Sequence, residues 1–84
     1  MTAFVALKFT QYFLATRQRP DRVAIREAWI EQVFFRPESE FVQEDGRVRR
    51  WAKIVEAEDR YLRVVVLADG ETIHNAFFDR SFRP

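Results

Sequence analysis

The sequence predicts an α+β domain of order β-α-α-β-β-β-β, with two helices packed on one face of an antiparallel sheet. Three observations predict it. Gly occurs only at Gly46 and Gly70, each directly after Asp, and Asp-Gly between apolar runs is a strong hairpin signal. Trp29, Ile30, Val33 and Phe34 fall at i, i+1, i+4 and i+5, which draws one apolar stripe along a helix. Val64-Val65-Val66-Leu67 is β-branched and apolar on both faces, as a central strand requires.

The elements follow in order. Phe4–Phe9 alternates apolar with smaller or polar residues and reads as a short strand. Thr10 can cap a helix over Gln11–Arg19, which Pro20 stops. Asp21–Ile25 stays open between an early helix start capped by Asp21 and an extended Val23-Ala24-Ile25. A second helix covers at least Arg26–Phe35, and Arg36-Pro37 ends it. Strands then run over Ser39–Glu44, Arg47–Glu56, Arg60–Ala68 and Glu71–Phe78, with the loop Ala57-Glu58-Asp59 joining the middle pair. The two Asp-Gly turns are expected to be type I′.

Composition narrows the function classes. The 84 residues make a single domain, 1–84, which buries roughly 60–65% of its unfolded surface. Zero Cys excludes disulfide frameworks, thiol catalysis and Cys-type zinc sites. No apolar run approaches the roughly 18 residues of a membrane span. The first eight residues lack a charged n-region and an apolar h-region, so no signal peptide and a cytoplasmic location are expected. The net charge of +1 excludes a diffuse polycation. It averages over a segregated chain, with +3 on residues 1–36 and −2 on residues 37–84. Arg47–Lys53 holds four cations and no acid. Arg supplies 12 of the 14 cations, and Arg suits bidentate phosphate contacts and stacking on rings.

Strand alternation sorts the candidate residues by face. Val48, Ala52 and Ile54 face the helices, as do Leu62, Val64 and Val66. Arg49, Trp51, Lys53, Tyr61, Arg63, His74 and Phe78 gather on the other face, with Arg47 beside them. A two-residue Asp69-Gly70 turn places Val66 opposite Ile73, Leu62 opposite Phe77, Val65 opposite His74, Arg63 opposite Ala76 and Tyr61 opposite Phe78. A three-residue Ala57–Asp59 loop places Lys53 beside Arg63 and Trp51 beside Val65. That like-charge pair is destabilising unless an anion compensates it. Cations interleaved with rings suit nucleic acid, where cations meet phosphates and rings stack on bases. The alternative is that Trp51, Tyr61 and Phe78 shelter one another under long Arg stems. The Asp45-Gly46 turn sets Gln43 opposite core-facing Val48, so that hairpin is expected to bulge or to lie at an edge.

His74 is the lone His, either a structural residue or a proton carrier near neutral pH. One His without a carboxylate pair on its face makes a poor metal site, so no metal is expected. Asp79 and Arg80 read most simply as a pair anchoring the tail, with Arg80 as an anion contact the alternative. No Gly-rich phosphate loop and no Ser/His/Asp triad is present.

Phe9-Thr10-Gln11-Tyr12-Phe13 with trailing Arg17-Gln18-Arg19 resembles the opening of small bacterial toxin domains, where a strand leads to a Thr-x-His-Ala helix followed by Arg residues. Phe34-Phe35-Arg36-Pro37 resembles their amphipathic helix ending in Asn-Pro. Arg60-Tyr61-Leu62-Arg63-Val64-Val65-Val66 resembles their fourth strand. The chain is thus similar to the RelE/ParE/BrnT toxin superfamily over Phe4 to Phe82. The resemblance implies two helices on a curved antiparallel sheet, an antitoxin as protein partner, and RNA, free or on the ribosome, as substrate. It implies cleavage without metal or cofactor. Lys and Arg would steady the phosphorane-like transition state while another side chain handles protons. Lys53, Arg63, Tyr61 and His74, with Arg49, are the positions that fit. Arg47, Arg49, Trp51 and Arg80 would bind the nucleic acid. Tyr12 stands where those toxins carry the helix His, the first trailing Arg is displaced to Arg17, and Ile73–Arg80 differs from their ending. The rival expectations are a non-catalytic binding module using the same face and a homodimer joined through strand edges or the Trp51/Tyr61/Phe78 surface.

Overall fold

The computed structural model describes residues 7–84. The expected strand residues Phe4 to Ala6 lie outside them. The elements are β1 (Lys8–Phe9), α1 (Gln11–Thr16), α2 (Glu27–Phe35), β2 (Ser39–Val42), β3 (Val48–Ile54), a 3₁₀ turn (Val55–Ala57), β4 (Arg60–Val66) and β5 (Thr72–Phe78). The five strands lie in one sheet in the order β1-β5-β4-β3-β2.

The sheet is mixed rather than wholly antiparallel, because β1 runs parallel to β5, Lys8 beside Thr72 and Phe9 beside Ile73. The helix pair carries the chain from one sheet edge to the other. No hairpin therefore dictates the direction of β1, and it meets β5 across the whole domain.

Thr10 caps α1 as expected, its hydroxyl accepting a hydrogen bond from the Phe13 amide at 3.1 Å. The helix stops at Thr16, short of Arg19. Pro20 is the cause, since it has no N–H for the Thr16 carbonyl and its ring would strike that carbonyl. The Arg19 amide takes the Thr16 carbonyl instead, at 3.0 Å. The segment left open is neither helix nor strand but a run of hydrogen-bonded turns, with the Val23 amide on the Arg19 carbonyl at 2.9 Å. In α2 the stripe is realised: Ile30 and Val33 are buried, and Trp29 and Phe34 pack at the margin. Arg50 donates to the Phe34 carbonyl at 2.9 Å, so a cation meets the C-terminal end of that helix.

Both helices cover one sheet face. Phe13, Ile30 and Val33 share a core with Ala52, Ile54, Leu62, Val64, Val66, Ile73 and Ala76.

The turns depart from expectation. Only the glycines of the Asp-Gly pairs have positive φ, 90° at Gly46 and 74° at Gly70. Each Asp folds its carboxylate back onto the chain, and the Asp69 carboxylate accepts the Glu71 and Thr72 amides at 2.8 and 2.9 Å. Those bonds favour a right-handed turn at Asp, followed by glycine alone in the left-handed region. Two successive positive φ values occur instead at Glu58 (60°) and Asp59 (59°), in a turn without glycine.

Register shifts follow from the turns. The 3₁₀ turn takes Val55 out of β3, so Lys53 lies opposite Tyr61 and Trp51 opposite Arg63. The expected Lys53–Arg63 and Trp51–Val65 pairs do not form. The slip is two residues, which keeps every side chain on its expected face. In the β2–β3 hairpin Val48 faces Val42 rather than Gln43. β2 is the edge strand, as allowed for.

Between β4 and β5, Val66 faces Ile73 as expected, but a bulge beside Val65 sets His74 outside the pairing. Beyond it Val65 faces Asn75, Val64 Ala76, Arg63 Phe77 and Leu62 Phe78. One extra residue exchanges the faces, so Phe77 joins Arg63 and Phe78 joins the helix-covered side. Packing chose this parity, because it buries Ala76 beside Val64.

Candidate functional site

The face away from the helices does gather Arg49, Trp51, Lys53, Tyr61 and Arg63 through the pairing of β3 with β4. Phe77 stands where Phe78 was expected. Phe78 lies instead at the core margin against Trp29, ring centres 6.1 Å apart, with the Arg60 guanidinium 4.0 Å from its own.

The centre of this face is occupied by the chain's own tail. Asp79 follows β5, and its amide donates to the Tyr61 carbonyl at 2.9 Å. One Asp79 oxygen accepts from Arg63 Nε and Nη2 and from Trp51 Nε1 at 3.0, 2.8 and 3.0 Å. Ser81 binds the other oxygen through amide and hydroxyl. Burial pushes the Asp79 carboxyl up. The donors from Trp51, Ser81 and Arg63, with the Arg63 charge, outweigh it and hold Asp79 well below the usual carboxylate range. Phe82 then lies flat on Trp51, ring centres 4.7 Å apart and planes 19° apart, and against Tyr61 at 5.0 Å. The tail is anchored as expected, but by Asp79 on Arg63 and not by an Asp79–Arg80 pair.

The four expected catalytic residues do not converge. Lys53 and Tyr61 are opposite neighbours, with Lys53 Nζ 6.0 Å from the ring centre. Arg63 is neutralised by Asp79. His74 sits by Val65, four residues along β4 from Tyr61, which is roughly 13 Å at the rise of a strand. There its Nδ1 lies 3.1 Å from the Thr10 hydroxyl and its ring stacks on Tyr12 at 4.8 Å. Burial and then the charge of Arg47 lower its pKa, which favours the neutral ring. Among the other expected contacts, Arg49 is held by Gln43 at 2.8 Å and lies over Phe41. Arg47 reaches Asp45 at 3.7 Å.

Arg80 is different. It lines two adjoining clefts at the open end of β5, of about 260 and 240 Å³. The first also involves Asp59, Arg60, Tyr61, Phe82 and Arg83, and the second Asp21, Arg22, Arg60 and Phe77. Among the described residues no carboxylate pairs with Arg60 or Arg80, whereas Arg22 has Asp21 at 3.4 Å. Arg22 also spans Phe77, 5.2 Å from its ring centre, and donates to Asn75 at 2.9 Å. The alternation of residues in β4 and β5 did not point to Arg22 or Arg60. Arg22 arrives from the helix-linking turn, and Arg60 lies on the helix-facing side of its strand. Their only sequence signal was the general excess of Arg.

No group of three or more His, Asp or Glu side chains placed to hold a metal forms among the described residues. No helix among them is long and apolar enough to cross a membrane. The chain matches no family model, and no curated protein or solved structure matches it at a significant level.

Proposed function

We propose that this chain is an RNA-binding domain of the toxin-like kind, which grips the backbone of a single strand through the twin clefts around Arg60 and Arg80. The observation that carries the reading is that these two guanidiniums line both clefts without a carboxylate partner among the described residues. Cations outnumber the lining carboxylates Asp59, Asp79 and Asp21 in these clefts, an excess that attracts an oxyanion, and Arg presents the donor fork that matches phosphate. Phe77 at the second cleft adds a flat surface for a base. The test is anisotropy of a labelled single-stranded RNA against a salt series. Affinity is expected to fall steeply with salt, and Arg60→Ala with Arg80→Ala to flatten the logarithmic slope by about 1.4, two contacts' worth on a single strand. Binding that ignores salt, or no binding, would overturn the reading.

A second reading is RNA cleavage without metal. It is favoured by Tyr61 lining the Arg60/Arg80 cleft with Lys53 across from it. Tyr61 would move a proton while Lys53 and the arginines steady the transition-state charge. An antitoxin partner belongs to this reading. Cleavage of RNA in a chelator, lost in Lys53→Ala and Tyr61→Phe, would support it, and intact RNA would dismiss it.

A further inference from the structure

Phe82 has an unusual position for a large apolar residue. It lies outside the helix-covered core and is half-buried. Its neighbours Ser81, Arg83 and Pro84 are exposed, and β5 has ended at Phe78. Its ring nevertheless lies parallel to the Trp51 indole at 4.7 Å and leans on Tyr61 at 5.0 Å. Two rings on adjacent strands of an open sheet, with a third ring flat on one and tilted against the other, resemble the arrangement by which sheets hold unstacked bases.

The tail is held unequally. Asp79 is fastened by Arg63, Trp51 and the Tyr61 carbonyl. Phe82 is held by ring contact and one long backbone bond, its amide to the Asp79 carbonyl at 3.4 Å. The ring can therefore leave while Asp79 stays. Leaving would bare Trp51 and Tyr61 beside Lys53, whose ammonium faces the Tyr61 ring and pairs with no carboxylate among the described residues.

We infer that Trp51 and Tyr61 form a base-stacking platform for a single-stranded RNA nucleotide, held shut by Phe82 in the place of the base. The inference rests on the RNA-binding reading above and adds a second contact site to it. In the closed state RNA reaches only the Arg60/Arg80 clefts. In the open state one base replaces Phe82 and its phosphate meets Lys53. The fraction of chains that are closed lowers the apparent affinity of the wild type.

The experiment compares the wild-type chain with Phe82→Ala, both in a Trp29→Phe background so that Trp51 alone emits. The probes are a single-stranded RNA hexamer and an abasic strand of equal length, at fixed salt. Phe82→Ala is expected to bind the hexamer about 5- to 20-fold more tightly, with quenching of Trp51, and to bind the abasic strand as the wild type does. A Phe82→Ala chain that binds the hexamer no better than wild type overturns the inference and makes Phe82 a cover only. An equal gain for the abasic strand also overturns it, since a base then plays no part. Binding by Phe82→Ala where the wild type shows none would support the platform while refuting the cleft reading. Binding by neither refutes both. Should Phe82→Ala lose its circular dichroism signal, Phe82→Leu, which has no ring to stack on Trp51, is expected to show a gain for the hexamer alone, and the absence of that gain overturns the inference.

Discussion

Arg63 donates both Nε and Nη2 to a single oxygen of Asp79, at 3.0 and 2.8 Å, with the Asp79 side chain only 6% exposed. That one oxygen also takes the Trp51 indole, so three donors from two strands meet on the first residue after β5. Removing the acid leaves a partly buried cation and an indole N–H without a partner. Asp79→Ala is therefore expected to lower stability by on the order of 3 kcal/mol, measured by urea unfolding.

The same carboxylate sets a pH dependence. Its folded pKa is depressed, so the ionised form is the stabilising one. The contribution is complete above the unfolded value near 4 and is lost as pH falls towards the folded pKa. Wild-type stability should fall on acidification below about pH 4, and Asp79→Asn should flatten that limb. Parallel limbs in the two proteins would assign the acid sensitivity elsewhere.

His74 has the opposite chemistry and the same sign. Its folded pKa lies below the model-compound value of 6.5, because burial and Arg47 disfavour the imidazolium. The unfolded chain takes up the proton first, so stability declines as pH falls through 6.5 towards the folded pKa. A proton NMR titration should give a midpoint below 6.5. His74→Gln should remove the slope in that window.

Thr10 serves two elements with one hydroxyl, capping α1 at Phe13 and meeting His74 on β5. Thr10→Ala should cost about 1–2 kcal/mol, the upper range for a cap. It should also raise hydrogen exchange at the Phe13 amide.

Glu58 and Asp59 adopt left-handed backbone at 60° and 59° without glycine. Each conformation costs an L-residue roughly 1 kcal/mol. Replacing the pair by Asn-Gly should raise stability by about 0.5–1 kcal/mol, read from the thermal midpoint.

The helix stripe, the Thr10 cap and the central Val64–Val66 strand were legible because each depends on local spacing. Face membership on β3 and β4 was legible too, since a two-residue slip preserves parity. Phe78 was not legible. Its side of the sheet depends on one extra residue at His74, and that bulge is fixed by what Ala76 and Phe78 must pack against. Asp79 could be named as an anchor, but its partner could not. Arg63 is 16 positions away, and the like-charge conflict expected between Arg63 and Lys53 vanished with the register. Arg22 and Arg60 share a cleft only because Arg22, on the turn after Pro20, returns to the open end of β5.

The bulge makes chain length itself a variable. β5 holds one residue more than its pairing with β4 uses, and that residue is His74. Deleting it would join Ile73 directly to Asn75 and leave every downstream partnership unchanged, from Val65–Asn75 to Leu62–Phe78. Deleting any one of Asn75 to Phe78 would instead shift the rest by one place and exchange inside for outside. The hairpin thus carries a single spare position, and the side chain placed there is the one that reaches Thr10 and Tyr12.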